Sequence, residues 1–293
     1  NRAMKRLANL LVIECVAGVL LTNPSIAEDM GSISCGETRG GAIAGVGEQD
    51  LWTTTASAED RIIVSVVETS GSLYPYVILY APDGSEEISG YRHISRQVSQ
   101  TGTYTVVIHD GQDSGDDASL DDTGEYNITL LNVGGCSGDA ISSGETLWGT
   151  IDAASDMEVW QFSVSAGEHV ILNVHETSGD LHTVVIVYAP DGSREWTFSH
   201  HSYWQVSQTG TYTVVVYDGQ YDGNDKTLDD TGEYSITFLN LDDDSWPTVS
   251  CNETRSGSID AVTDAEVWKF PAVIYEHVLL SVVGISGSLP DIS

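Results

Sequence analysis

The feature that most limits the fold is a repeat as long as a domain. The ten residues Val98–Val107 recur without a difference at Val206–Val215, 108 residues further along the chain. Tryptophans 52, 160 and 268 keep the same spacing, and no insertion or deletion separates the copies at these markers. Solenoid repeats are about 20 to 50 residues long, whereas a longer period fits a whole domain with its own core. The sequence therefore predicts tandem domains of one fold.

The repeat divides the chain into segments. We expect a first β-sandwich over residues 33–135, a second over 136–241, and the first half of a third over 242–293. The third copy lacks a counterpart of the Tyr80–Gly84 segment, which predicts that the sequence is a fragment of a longer protein. Half of a sandwich would leave strand edges and an apolar face exposed.

Residues 1–27 have the layout of a secretory signal peptide. Two basic residues follow Met4, a mostly apolar run covers 7–21, and Ser25-Ile26-Ala27 supplies a small-x-small cleavage pattern. Residues 1–3 are interpreted as upstream read-through. The run is short for a membrane span, and the alternative is an uncleaved anchor. We therefore expect a secreted or cell-surface protein that has no membrane contact after cleavage.

Apolar and polar residues alternate within each copy. Trp160, Phe162 and Val164 share one face of a predicted strand, and Tyr212, Val214 and Val216 share a face of another. Turn signals such as Pro190-Asp191-Gly192 separate about eight short strands per copy. No helical period occurs outside the signal peptide. This pattern predicts an all-β protein of tandem antiparallel β-sandwich or jelly-roll domains.

The charge balance excludes one class of partner. The formal net charge is −33, from 44 acidic and 11 basic residues. Such a surface repels phosphate backbones, so we expect no nucleic-acid binding. Cations are the natural partners of this surface.

Each copy of the repeated strand is followed by an acidic loop. Clustered carboxylates repel one another unless a cation neutralises them, and Ca²⁺ accepts six to eight oxygen ligands in irregular geometry. The alternative is a solvated loop in which Asp and Gly serve as turn formers. The aspartates that we predict as candidate Ca²⁺ ligands are Asp110, Asp117, Asp121 and Asp122 in the first copy, and Asp218, Asp225, Asp229 and Asp230 in the second.

The cysteines predict a disulfide. Cys35 and Cys136 lie at the two ends of the first repeat, and their counterparts Ser143 and Asp244 are both changed in the second. Loss of both together favours a Cys35–Cys136 disulfide in an exported protein; the alternative is two buried free cysteines. Cys251 matches Cys35, so its partner is expected beyond the end of this sequence. No paired CxxC motif indicates zinc or redox chemistry.

Three aromatic residues of the second repeat, Trp196, Tyr203 and Trp204, have no aromatic counterpart in the first repeat. In the first repeat their counterparts are Ile88, Ser95 and Arg96, so the core of the fold does not require aromatic residues at these positions. Exposed aromatic side chains on a sandwich can stack on sugar rings or pack on a partner; the alternative is that they cap the edge of the core. The candidate ligand-stacking residues are Trp196, Tyr203 and Trp204.

The residues that recur in each repeat resemble a known family. They are Glu158-Val-Trp-Gln-Phe162 with the following Ala166-Gly, the strand and turn Ile186–Gly192, the strand Gly210-Thr-Tyr-Thr-Val, and Thr231-Gly-Glu-Tyr234. The region from Ser143 to Leu241 resembles the bacterial pre-peptidase C-terminal domain. That resemblance implies a non-catalytic accessory domain of secreted bacterial proteins, often proteases. It also implies that some members bind Ca²⁺ or collagen-like substrates.

The sequence was also searched for catalytic motifs. The sequence has neither an HExxH nor a GxSxG motif, so we expect no enzyme activity in this chain. The favoured hypothesis is a secreted, non-catalytic array that binds an extracellular protein or polysaccharide, or acts as a spacer. The alternative is the accessory region of a secreted hydrolase whose catalytic domain lies outside this sequence. A third reading is a stalk that Ca²⁺ stiffens.

Overall fold

The computed structural model describes residues 27–111, 121–219, 229–274 and 277–283, and all regular structure within them is β-strand. The predicted signal peptide lies outside these residues, except for its last residue, Ala27. No helix in the described part of the chain is long and apolar enough to cross a membrane.

Nine strands build the first sandwich. The five-stranded sheet has the order β1-β3-β8-β5-β6 and the four-stranded sheet has the order β2-β9-β4-β7. Only the β1–β3 pair is parallel among these strands. The strands are β1 (Ala27–Ser32), β2 (Glu37–Ile43), β3 (Gln49–Ala56), β4 (Arg61–Gly71), β5 (Pro75–Tyr80), β6 (Glu86–Tyr91), β7 (His93–Gln97), β8 (Gly102–Asp110) and β9 (Gly124–Val133).

The second sandwich repeats this topology. Its sheets have the orders β10-β12-β17-β14-β15 and β11-β18-β13-β16. The strands are β10 (Asp139–Ala140), β11 (Glu145–Ile151), β12 (Met157–Val164), β13 (His169–Gly179), β14 (Thr183–Tyr188), β15 (Arg194–Phe198), β16 (His201–Gln205), β17 (Gly210–Asp218) and β18 (Gly232–Asn240). The predicted fold class, an all-β protein of antiparallel β-sandwiches, is confirmed.

Each sandwich encloses its own apolar core. Trp160, Phe162 and Val164 of β12 are buried on one face, as their alternation predicted, and Tyr212, Val214 and Val216 of the neighbouring strand β17 lie beside them on the same face. The first sandwich buries the corresponding residues, among them Trp52 and Tyr104. The repeated strand is therefore framework in both sandwiches.

The two sandwiches are joined by a third apolar cluster. The outer face of the four-stranded sheet of the first sandwich contributes Ile63 and Leu131. The outer face of the five-stranded sheet of the second contributes Val184, Ile186 and Tyr188. All five residues are at least 94% buried. The joint is thus a packed interface between two sheets rather than a flexible linker.

Residues 241–283 have a different character. Within their described part, the β-structure is limited to one isolated bridge, Thr248–Lys269. Large apolar side chains such as Phe270, Ile274 and Leu280 are exposed. The counterparts of Phe270 and Leu280 in the second repeat, Phe162 and Leu172, lie in the core, because the later strands of that repeat cover them.

The structure forms the predicted disulfide between Cys35 and Cys136, whose Cα atoms are 5.7 Å apart. The bond ties the start of β2 to the segment that follows β9, beside the joint. Cys251 is a free, exposed cysteine.

Candidate metal centres

Each acidic loop begins at a buried aspartate, Asp110 or Asp218, whose carboxylate accepts hydrogen bonds from backbone amides. In the first repeat, Asp110 Oδ1 accepts a hydrogen bond from Tyr74 N at 3.3 Å, and its Oδ2 accepts one from Asp122 N at 3.1 Å. In the second repeat, Asp218 accepts from His182 N and Asp230 N, both at 3.1 Å. The carboxylate therefore holds the base of the loop closed in both repeats.

Burial changes the acidity of these two groups. Desolvation raises the pKa of Asp110, and it raises the pKa of Asp218 to about 6, against the lowering effect of the two amide donors. Both carboxylates keep unused lone pairs, since an ionised carboxylate offers about four acceptor sites. They can staple the loop and still act as ligands.

The remaining predicted Ca²⁺ ligands are placed unequally. Asp122 accepts a hydrogen bond from Ser72 Oγ at 2.7 Å, and Asp230 lies 3.3 Å from His182 Nδ1. Asp121 and Asp229 are exposed. Asp117 and Asp225 lie outside the described residues, so the structure brings only part of the predicted set together.

The sequence reasoning missed His182 as a member of this group. Its imidazole and the carboxylates of Asp218 and Asp230 each place one ligand atom within 4.8 Å of the others. Tyr74 occupies the corresponding position in the first repeat, and the 108-residue alignment could have revealed the difference. Hydrogen bonding to Asp230 raises the pKa of the exposed His182.

A second carboxylate cluster, also missed, lies where β1 meets β3. Glu28, Glu48 and Asp50 each place a carboxylate oxygen within 4.8 Å of the others. Glu48 Oε2 accepts a hydrogen bond from Ala44 N at 2.7 Å. The signal could not be read from the sequence, because the parallel pairing of Glu28 with Asp50 is a tertiary contact.

Asp50 is the unusual member of this cluster. Its side chain has no exposed surface, its Oδ2 accepts a hydrogen bond from Tyr126 Oη at 2.6 Å, and its Oδ1 has no hydrogen-bond partner. Burial raises the pKa of Asp50 to about 6; the Tyr126 hydrogen bond opposes the rise, and the charges of Glu48 and Glu28 reinforce it. A buried, unpaired carboxylate oxygen costs free energy unless a cation or a proton occupies it.

The second repeat has an acidic cleft at the equivalent place. Asp139, Asp156 and Glu158 line a cleft of about 370 Å³ beside the disulfide. Burial, followed by the charges of Asp156 and Asp139, raises the pKa of Glu158 to about 7. Thr38 of the first sandwich donates a hydrogen bond to Asp156 at 3.2 Å, so the cleft lies at the joint.

The three candidate ligand-stacking aromatics do not form one surface. The prediction was wrong for Trp204, which is only 6% exposed and packs edge-on against Phe162 in the core. Its place on β16 turns it inward, whereas its neighbour Tyr203 faces out and is 55% exposed. Trp196 is 44% exposed on β15, a strand of the other sheet.

The fold and these sites define an all-β protein of tandem antiparallel sandwiches with acidic clusters at the loop bases and at the joint. No protein-family model matches the chain, and no curated protein matches it.

Several solved structures are distantly similar to the chain. One is the periplasmic g-type lysozyme inhibitor PliG of Aeromonas hydrophila, at 11% identity over 35% of this chain and 96% of that chain, with a TM-score of 0.28. Another is the pre-peptidase C-terminal domain of a Bacillus anthracis collagenase, at 18% identity over 38% of this chain and 99% of that chain, with a TM-score of 0.27. A putative secreted protein of Eubacterium rectale matches at 9% identity over 69% and 74%, with a TM-score of 0.23.

Proposed function

We propose that this chain is a non-catalytic extracellular module, a stiff array of β-sandwiches that holds a binding surface or a neighbouring domain at a fixed distance. The observation that carries the proposal is the packed joint between the two sandwiches. The disulfide supports an oxidising location. The resemblance of the repeat motifs to the pre-peptidase C-terminal domain family favours an accessory role beside an extracellular partner, either protein or polysaccharide.

Polar contacts, together with the apolar cluster, fix the orientation of the two sandwiches at the joint. Arg61 Nε donates to Gly192 O at 2.8 Å, and its guanidinium lies over the Tyr188 ring at 5.4 Å. Gln97 Nε2 donates to Asp191 O at 3.0 Å. Because these donors hold the Tyr188–Gly192 turn while the sheets pack beside it, rotation between the sandwiches would break both kinds of contact.

The geometry of the joint begins to repeat further along the chain. Thr129 Oγ1 lies 3.1 Å from Ser155 Oγ across the first joint. One period later, Thr237 Oγ1 lies 3.0 Å from Thr263 Oγ1, and Asn173 Nδ2 donates to Thr263 O at 3.2 Å. A repeated joint favours an array with a constant angle from one sandwich to the next.

Small-angle X-ray scattering of the whole chain tests the stiffness. The variant Ile186→Ser/Tyr188→Ser removes joint contacts from an outer sheet face and leaves the cores intact. Its control, Ile78→Ser/Tyr80→Ser, changes the equivalent residues of the first sandwich, which are half-exposed. We expect a larger maximum dimension and a flexible profile for the joint variant alone. A wild-type profile that already requires freely rotating domains would contradict the proposal.

Calcium binding is the second part of the proposal. The acidic loops supply carboxylates in both repeats, but the Glu28–Glu48–Asp50 cluster offers oxygen ligands only and contains an unpaired buried oxygen. A hard cation that prefers oxygen matches this donor set. Bound Ca²⁺ would neutralise three carboxylates that lie together in a chain of net charge −33.

Thermal unfolding with Ca²⁺ and with a chelator tests this part. We expect Ca²⁺ to raise the midpoint of the wild-type chain and to raise it less for Asp50→Asn. The control Asp29→Asn changes an exposed neighbour on β1 and is expected to respond like the wild type. A Ca²⁺ response that is the same in all three proteins would remove the cluster from the proposal.

A further inference from the structure

We propose that the base of the second acidic loop is a site for a divalent transition-metal ion of the Zn²⁺ class, held by His182, Asp218 and Asp230. This site is separate from the Glu28–Glu48–Asp50 cluster proposed above for Ca²⁺, and it differs from that cluster because one of its ligands is a nitrogen atom. It also differs from the base of the first acidic loop, where the equivalent carboxylates of Asp110 and Asp122 have no imidazole beside them at the position of His182.

The donor atoms already converge. His182 Nδ1 lies 3.3 Å from Asp230 Oδ2, and one oxygen of Asp218 lies within 4.8 Å of both groups. Zinc–ligand bonds of about 2.0–2.2 Å in a tetrahedron place two donor atoms about 3.4 Å apart, so His182 and Asp230 already have the required separation and the Asp218 oxygen has to approach them. Two of the three, Asp218 and Asp230, belong to the ends of one loop, and His182 comes from the segment between β13 and β14.

The backbone holds the central ligand in place. The amides of His182 and Asp230, which belong to the other two ligand residues, donate to the two oxygens of Asp218 at 3.1 Å. All three residues are therefore linked by hydrogen bonds in the absence of metal. Metal binding then costs little conformational entropy, because the ligands are already ordered. His182 is the exposed member, with 60% of its side chain accessible, which leaves room for water ligands on the solvent side.

The ligand types select the metal. Ca²⁺ and Mg²⁺ take oxygen ligands, whereas imidazole suits zinc, copper, iron and nickel. Two carboxylates and one imidazole match the zinc ligand types His and Asp, with the open positions filled by water. The strong negative charge of the chain raises the local concentration of any divalent cation.

Coordination at Nδ1 replaces the hydrogen bond between His182 and Asp230 and releases the proton of a protonated imidazole to solvent.

The first repeat provides a matched comparison within the same chain. Asp110 and Asp122 reproduce the contacts of Asp218 and Asp230, with the amide of Tyr74 in place of that of His182. His182→Tyr thus converts the second loop base to the first, and Tyr74→His converts the first to the second. Both substitutions change exposed or half-exposed side chains outside the cores.

Isothermal titration of the whole chain with ZnCl₂ at neutral pH, in the presence of excess CaCl₂, tests the site. We expect a Zn²⁺ site in the wild type, at least a tenfold loss of its affinity in His182→Tyr, and one additional site in Tyr74→His. The control His200→Ala changes another exposed histidine and is expected to bind as the wild type does.

Unchanged Zn²⁺ binding in His182→Tyr, or no binding in the wild type, would overturn the inference. These outcomes are independent of the proposed function. The scattering profile depends on the joint, and the Ca²⁺ response depends on Asp50, so either can fail while the Zn²⁺ site stands, and the reverse also holds.

Discussion

At the scale of single residues, each sandwich is centred on a buried tyrosine that bonds to a tryptophan. Trp52 Nε1 donates to Tyr126 Oη at 3.0 Å, and Trp160 Nε1 donates to Tyr234 Oη at 2.7 Å. A Cβ atom at Gly41 would collide with the Tyr126 ring, so only glycine fits the strand there. In the first sandwich, the hydroxyl of Tyr126 also donates to Asp50.

Substitution of this hydroxyl should be costly. Tyr126→Phe leaves the Trp52 indole and the Asp50 carboxylate without their partner inside the core. Because a buried polar group left unsatisfied costs about 1–3 kcal/mol, we expect a loss of roughly 2 kcal/mol in the free energy of unfolding. Urea unfolding measures it. Tyr91→Phe, at a 44% exposed position, is the control, and an equal loss in both proteins would contradict the prediction.

Two buried carboxyls and one partly buried carboxyl predict how the stability of the protein depends on pH. The folded-state pKa values of Asp50 and Asp218 are raised to about 6, and that of Glu158 to about 7. The folded protein therefore holds these protons more tightly than the unfolded chain does, and the stability that protonation gives is lost as pH rises through these values. We expect the chain in chelator to be less stable at pH 8 than at pH 5.

Urea unfolding at the two pH values, at one ionic strength, checks this expectation. General repulsion in an acidic chain acts in the same direction, so the informative measurement is the double variant Asp50→Asn/Glu158→Gln. Its stability should differ less between pH 5 and pH 8 than that of the wild type. If the double variant and the wild type lose the same stability between pH 5 and pH 8, the surface charge alone accounts for the pH dependence.

At the scale of elements, β4 and β13 each shift register near their ends, between Glu68 and Ser70 and between Glu176 and Ser178. The shift precedes a glycine with positive φ: 105° at Gly71 and 94° at Gly179. A Cβ atom at Gly179 would collide with Thr231 O and lie 2.8 Å from Gly232 Cα. This irregularity lets the chain leave the four-stranded sheet and cross to the other sheet.

Gly179→Ala should therefore be more destabilising than the same change at an open turn. Gly36 also has positive φ, 75°, but a Cβ atom there would have no atom within 4 Å. We expect about 1–2 kcal/mol of backbone strain for Gly36→Ala and a larger loss for Gly179→Ala, where the collision adds to the strain. Thermal unfolding of both variants compares them, and equal losses would show that the close approach is easily relieved.

At the scale of the whole molecule, the joint decides whether the sandwiches act as one body. It contains the partly buried His93, whose ring stacks on that of Tyr217 of the second sandwich with 5.4 Å between the ring centroids. Burial lowers the pKa of His93 to about 4, so its neutral form supports the joint, and this support is lost as pH falls from about 6.5 through 4. The counterpart His201 is exposed.

Arg61→Ala should uncouple the sandwiches in calorimetry. The substitution removes the hydrogen bond to Gly192 and the contact with the Tyr188 ring, whereas Arg96→Ala removes an exposed arginine that pairs with Glu87. We expect the heat-capacity peak of Arg61→Ala to broaden or split, because the sandwiches then unfold more independently, and Arg96→Ala to resemble the wild type. A single sharp peak in both variants would argue that the apolar cluster alone couples them.

Much of the fold could be predicted because its signals are local or periodic. The alternation in β12 and β17 predicted which face is buried, and the 108-residue spacing identified the equivalent strands. The paired loss of cysteines identified the disulfide. The prediction that Trp204 is exposed was wrong. Its counterpart in the first repeat is the exposed Arg96, and the alignment could not show that the tryptophan side chain fills a core position in the second repeat.

The candidate sites were less predictable because they depend on contacts between distant segments. The aspartates at the loop bases are visible in the repeated sequence, but His182 joins Asp218 and Asp230 only when the β13–β14 segment folds against the loop. Glu28 reaches Asp50 only through a parallel strand pair. The spacing of Glu28 and Asp50 along the chain does not predict that they come into contact.

By itself, the sequence determined the class of fold and the size of its unit, because strand alternation and repetition express the burial of one sheet face. The tertiary structure alone decided which outer faces are also buried. Ile186 and Tyr188 pack at the joint, while the equivalent Ile78 and Tyr80 of the first sandwich remain half-exposed. The residues are the same type in both repeats, and the difference arises because burial depends on what lies opposite a face.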